Sequence, residues 1–189
     1  MWCASGLRVP STLLLCTRPL TRQAGIEFVL FFDGGYRDNP GPSGSGAALV
    51  RMDVTSATRL ACQHLVRGTQ QHHQQTEYLE LVVGLWQALY RKATPLHVVS
   101  DSQLILQQVR RHRVPAALHF RRYYYDVRRS ATRLGVVSWT HHLRQYNKTA
   151  DTTANNAVDA RASIQADAGE SERPETASIA LHLAADIGH

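Results

Sequence analysis

The stretch FFDGGYRDNPGPSGSGAAL, Phe31–Leu49, decides the architecture of this chain. It carries the end of one apolar run, a turn, and the start of another. Ile26–Phe32 is β-branched and aromatic and reads as a strand that ends in Asp33. Gly34-Gly35 and Asn39-Pro40-Gly41-Pro42 then impose a turn, because glycine admits positive φ and proline withdraws a backbone donor. Gly46–Met52 reads as a second strand, Asp53–Ala57 as a hairpin turn and Thr58–Val66 as a third strand. Three antiparallel strands joined by short turns therefore open the domain.

Working outward, a polar stretch at Gly68–Gln75 precedes a helix over Thr76–Ala93 that Pro95 closes. Leu96–Ser100 reads as a short strand, and Ser102–Arg111 as a helix with Ser100 or Asp101 placed to cap it. Beyond Pro115 come a helix at His119–Leu134, a strand at Val136–Thr140, a polar loop at His141–Lys148 and a last helix at Thr149–Gln165. The order βββ-α-β-α-α-β-α predicts an α/β fold. Its five-stranded mixed sheet has three antiparallel strands, then two parallel crossovers, with helices alongside. Residues 26–166 form the domain, after a basic leader at 1–25 and before an acidic tail at 167–189 whose Gly, Ser, Pro and Glu predict disorder.

Charge is distributed unevenly along the 189 residues. From Asp167 onward there are five acids against the single Arg173, whereas the preceding 166 residues hold twenty Lys/Arg and ten Asp/Glu. A basic body of this kind suits a polyanionic partner, nucleic acid first, or a merely soluble basic protein. Cys3, Cys16 and Cys62 lie far apart without a CxxC pair, which argues against a disulfide framework or a zinc site and fits a reducing, intracellular compartment. The leader holds Arg8, Arg18 and Arg22, five Ser/Thr and no acid. That is the composition of a mitochondrial or plastid transit peptide, and equally of a disordered leader on a nuclear or cytoplasmic protein. Its run Leu13-Leu14-Leu15-Cys16 is too short to span a bilayer, so no membrane association is expected, and the chain is expected to be monomeric.

Four acids stand at element ends. Asp33 ends a strand, although a strand-end Asp is also a common turn former. Glu77 shares a helical stripe with Leu81, Leu85 and Ala88 that faces the sheet, and a carboxylate on such a stripe needs a partner. Glu80 falls with Gln87 and Arg91 on the polar face and reads as solvated. Asp101 follows a strand and opens a helix, as a cap or at the carboxyl end of a sheet where ligands gather. Asp151 sits in the first turn of the last helix beside Ala154, Val158 and Ala162, while Asp159 lies on that helix's polar face. Four ionised carboxylates in one pocket would repel, so convergence requires cations, and an all-oxygen set favours magnesium or manganese over zinc.

The blocks FFDGGYRDNPGPSGSGAAL, TEYLELVVGL (Thr76–Leu85), VVSDSQLILQQV (Val98–Val109) and HHLRQYNKTADTTAN (His141–Asn155) occur in this order. With them the chain resembles the type 1 ribonuclease H family, especially its plant-, archaeal- and retroelement-like branch known as reverse-transcriptase-like. The resemblance runs from Glu27 to Ser163. It implies a ribonuclease H-like fold and an endonuclease that hydrolyses the RNA strand of RNA–DNA hybrids, leaving a 5′-phosphate and a 3′-hydroxyl. It implies two Mg²⁺ ions, with Mn²⁺ as substitute, held by Asp33, Glu77, Asp101 and Asp151. His141, ten residues before Asp151, matches the histidine that assists water activation or product release. Nucleic-acid contacts are implied for Gly34, Gly35, Asn39, Gln74, Ser102, Gln103 and Asn147.

Two features depart from the family pattern. An Asn-Asn pair is usual where this chain has His73 and Gln74. The segment Arg110–Tyr125 lacks a long basic protrusion but holds Arg110, Arg111, Arg113, Arg121, Arg122 and Tyr123-Tyr124-Tyr125, to grip phosphates and stack bases or to form a solvated basic face. Beside the nuclease stand two other readings: a ribonuclease H-like nucleic-acid-binding module of retroelement origin that has lost turnover, and a scaffold whose acids are caps and turn formers.

Overall fold

Strand β1 (Phe28–Tyr36) runs through the middle of the sheet because its residues are apolar on both faces, as a strand covered on both sides must be. It pairs antiparallel with β2 (Ser43–Met52), which pairs antiparallel with β3 (Ala57–Val66). On its other side β1 pairs parallel with β4 (Leu96–Ser100), which pairs parallel with β5 (Ser138–His141). The helices are α1 (His73–Tyr90), α2 (Gln103–Arg110), α3 (Leu118–Leu134) and α4 (Lys148–Ala160). These elements come from a computed structural model, which describes residues 27–36, 43–52, 57–66, 73–136, 138–160, 165–167 and 182–187.

The expected five strands are present in the expected order, but the sheet of the described residues has six. Gln165–Asp167 forms β6 against the outer edge of β3, giving the order β5-β4-β1-β2-β3-β6. Gln165, expected to end the last helix, thus lies in a strand instead, and the described part of that helix runs to Ala160. The acidic tail, expected to be disordered, is described only at Asp167, in β6, and at residues 182–187. Residues 182–187 form a short helix, α5, with Leu183 and Ile187 buried. The basic leader 1–25 and the turn at 53–56 lie outside the described residues.

Two cores sandwich the sheet. On one face Leu30, Phe32, Ala47, Leu49 and Val98 pack under α1, α2 and α3, including the expected stripe Leu81, Leu85 and Ala88. On the other, Val29, Phe31, Ala48, Val50 and Val99 meet Ala150 of α4 and Leu183 and Ile187 of α5. Two glycines set how closely the helices approach. A Cβ on Gly34 would lie 2.7 Å from the Glu77 backbone nitrogen, so only glycine lets the start of α1 rest on β1. A Cβ on Gly46 would lie 2.4 Å from the Ala154 nitrogen and 2.5 Å from the Ala150 oxygen, so α4 sits backbone-to-backbone on β2. Among the described residues no helix is long and apolar enough to cross a membrane.

Candidate active site

The parallel register explains why two of the acids meet. β1 and β4 pair as far as Phe31 opposite Val99, and two residues further on stand Asp33 and Asp101. β1 does not end at Asp33 as expected but continues through Gly34, Gly35 and Tyr36, paired only with β2. Asp33 therefore occupies a strand position whose β4 side has just run out, at the carboxyl edge of the parallel pair. Gly34, the next residue, brings in the first turn of α1 and with it Glu77. Gly46 lies opposite Asp33 in the β1–β2 register and admits the first turn of α4, which carries Asp151.

Asp101 does not cap α2. Ser102 takes the N-cap position without a side-chain cap bond, and its hydroxyl donates instead to Glu77 Oε2 at 2.9 Å. The Ser102 N–H donates to Ser100 Oγ at 3.1 Å. Asn147 Nδ2 donates both to the Phe32 carbonyl, 3.1 Å, and to Asp101 Oδ1, 3.2 Å, tying the loop before α4 to β1 and to the acid. Asp151 accepts from Arg144 at 3.0 Å and from Asn155 at 3.3 Å. Although the polar loop was expected to begin at His141, that residue closes β5, and its Nε2 lies 3.1 Å from the Asp101 carbonyl oxygen. His142 turns the other way and is buried, with Nδ1 3.3 Å from the Tyr146 carbonyl.

The four carboxylates sense one another. Asp33 is pushed up to about 8, first by burial and then by the charges of Asp101, Asp151 and Glu77, while Arg144 acts in the opposite direction. Asp101 is raised above the usual carboxylate range, again chiefly by burial; the Asn147 hydrogen bond opposes that shift. Arg144 is raised in turn by its hydrogen bond and charge contact with Asp151. A pocket that holds a carboxyl protonated near neutrality favours a cation that would stabilise the charged form. The donor set, all carboxylate oxygen, suits a hard divalent ion. The ligand geometry is open: among the described residues no group of three or more His, Cys, Asp or Glu side chains is already gathered closely enough to hold a metal.

Several expectations change. Glu80, expected in solvent, is completely buried, and neither carboxylate oxygen has a hydrogen-bond partner of normal geometry among the described residues. Burial pushes it up to about 8; Ser45 on β2 pulls the value down and Asp33 adds to the rise. Asn147, expected to touch nucleic acid, is fully buried and serves Asp101 instead. Gly34 and Ser102 are buried as well, Gly34 against the Glu77 backbone and Ser102 on the Glu77 carboxylate. Gln103 is exposed at the start of α2, and Gln74 is half-buried in the first turn of α1. Gly35 pairs with Gly44 along β1, and Asn39 lies outside the described residues. The basic segment splits by helical geometry: Tyr124 is core and Tyr123 half-buried, leaving Tyr125 as the exposed ring of the three. Arg121 bonds the Pro115 and Ala116 carbonyls, while Arg110, Arg111, Arg113 and Arg122 are exposed. Arg144, inside the block HHLRQYNKTADTTAN, is a site residue that the sequence reading misses, and its spacing of seven residues from Asp151 is the available signal.

A central strand and a helix-opening turn meeting at an acid-lined sheet edge, with three hairpin strands on one side and parallel crossovers on the other, define a ribonuclease H-like domain. The chain belongs to the reverse transcriptase-like family, whose model matches residues 31–157, and it is a member of the type 1 ribonuclease H group. Among curated proteins it is similar to the bifunctional protein Rv2228c of Mycobacterium tuberculosis, 31% identical over 144 residues. That alignment covers 76% of this chain, which spans about two fifths (39%) of the relative's length. The solved N-terminal RNase H domain of the same mycobacterial protein is 28% identical, covers 71% of this chain and 95% of that one, and has a TM-score of 0.60. RNase H1 of the archaeon Halobacterium salinarum NRC-1 is also 28% identical, covering 70% of this chain and 98% of its own, with a TM-score of 0.58. LC11-RNase H1, solved in complex with an RNA/DNA hybrid, shares the fold at 21% identity, 71% coverage of this chain, 98% of that chain and a TM-score of 0.61.

Proposed function

We propose that this chain is a cation-dependent endonuclease that hydrolyses the RNA strand of RNA–DNA hybrids. One observation carries the reading: Asp33 of β1, Glu77 of α1, Asp151 of α4 and Asp101 in the turn after β4 meet at one sheet edge, where burial first and then the charges of the other three raise the Asp33 pKa. Family membership and the hybrid-bound LC11 relative support the choice of substrate. Asp33 and Asp101 would hold the central ligand positions, with Glu77 and Asp151 flanking them. Two Mg²⁺ ions bound there, or Mn²⁺, would activate a water and neutralise charge on the scissile phosphate and the leaving 3′-oxygen.

The chain's own residues do the rest. Ser102 fixes the rotamer of Glu77 and Asn147 that of Asp101, so the acids face the phosphate without paying for reorganisation. His141, beside the Asp101 carbonyl, would accept or donate a proton at the departing oxygen. Gln103 and Gln74 would recognise 2′-hydroxyls in the hybrid's minor groove, and the exposed arginines would hold phosphates. A second reading, a hybrid-binding module with weak or no turnover, is favoured by the Arg144–Asp151 ion pair and by His73 and Gln74 in place of an Asn pair.

The deciding experiment is cleavage of an end-labelled hybrid by purified protein in Mg²⁺, Mn²⁺ or EDTA. Metal-dependent cutting of the RNA strand, sparing duplex DNA and single-stranded RNA, is the expected result. Folded protein that binds hybrid but cuts in neither metal would replace the nuclease with the binding module.

A further inference from the structure

The first turn of a helix leaves backbone N–H groups without intrahelical partners. In α4 the residue just before the helix does not supply one: Asn147 donates through Nδ2 to Phe32 and Asp101, and its Oδ1 accepts no hydrogen bond among the described residues. The donor at Thr149 is met from 37 residues away: its N–H donates to Asp186 Oδ2 at 2.7 Å, and both residues are fully buried. A carboxylate in that place satisfies a donor and complements the positive end of the helix dipole. Asp186 is held there by its own helix, since Leu183 and Ile187 are buried against Val29, Phe31, Ala48, Val50, Val99 and Ala150.

This contact bears on the acids. Thr149 stands two residues after Asn147, which grips Asp101, and two before Asp151. Elsewhere α4 meets β2 at Gly46, against the Ala150 and Ala154 backbone, and at Gly44, against the Ala154 carbonyl and the Val158 side chain. We propose that Asp186 is a positioning residue for the carboxylate site: by fixing the first turn of α4, the C-terminal segment sets where Asp151 and the Asn147–Asp101 pair stand. The inference rests on the function proposed above.

The test uses the full chain, with Asp186→Ala and Asp186→Asn. Two quantities are measured: the Mg²⁺ concentration for half-maximal hybrid cleavage, and the rise in Tm that Mg²⁺ or Mn²⁺ produces over EDTA. Asp186→Ala raises the Mg²⁺ midpoint about tenfold and shrinks the cation-induced rise, as losing a residue that orients a ligand does. Asp186→Asn keeps an oxygen for the Thr149 N–H and raises the midpoint about threefold; it decides the matter alone if the alanine variant does not fold. A tail that only stabilises the fold would lower Tm in EDTA yet leave the midpoint and the cation-induced rise within about twofold of wild type, and that result overturns the inference. Wild-type protein that neither cuts hybrid nor responds to cation overturns the functional reading and this inference together.

Discussion

Replacing Glu80 with glutamine removes a buried acid whose charged form the fold disfavours. The side chain is fully buried on α1, and its pKa rises from 4.5 to about 8, mainly because ionisation there costs solvation. In the unfolded chain it titrates normally. The folded state therefore binds the proton more tightly, so the stability it confers is complete below the unfolded pKa and is lost as pH rises toward the folded one. Between pH 5 and pH 7 the loss attributable to Glu80 is about 2–3 kcal/mol. Asp33, also pushed up to about 8, adds loss in the same window and couples to Glu80, so the wild-type curve belongs to the pair. The assay is urea denaturation of wild type and Glu80→Gln in EDTA at pH 5, 6, 7 and 8. The variant is expected to lose distinctly less stability across the series and to be the more stable protein at pH 8. Parallel curves, or a variant less stable at pH 8, would refute the argument that Glu80 is buried in its neutral form.

Asp101→Asn should lower cleavage more than about 100-fold while leaving hybrid affinity in EDTA nearly unchanged. It should also bring the Asp33 pKa down, followed by carboxyl NMR titration, because one raising charge is gone. Asn147→Ala leaves Asp101 and the Phe32 carbonyl without their shared donor; it should cost about 1–3 kcal/mol in denaturation and lower kcat about 10- to 100-fold. Gly34→Ala drives a methyl into the Glu77 backbone, so α1 must lift from β1; about 1–3 kcal/mol of stability should go, with cleavage falling alongside it.

Much of this protein was legible in its sequence, because local periodicity and breakers report where elements start and stop. Strand runs around Phe31, Val50 and Val98, the stripe Leu81-Leu85-Ala88 and the prolines at 95 and 115 fixed five strands, four helices and their order. Four acids at element ends followed from the same reading. The sheet's outer strand β6 and the docked α5 were not legible, since three residues and six carry no period, and their acid-rich surroundings read as solvent-loving. Glu80 shows a different limit. Helical spacing placed it with Gln87 and Arg91 on the polar face, and its burial depends on how far the edge of α1 is covered by the sheet. Gly84, whose added Cβ would lie 2.9 Å from Leu30, lets α1 sink far enough for that edge to be buried too. The pairing of Asn147 with Asp101 and of Asp186 with Thr149 spans 46 and 37 residues. The sequence alone determined which side chains could do the chemistry. Tertiary structure alone decided which of them stand on its surface and which hold it from beneath, because solvent exposure and hydrogen-bond reach belong to the packed chain and not to any segment of it.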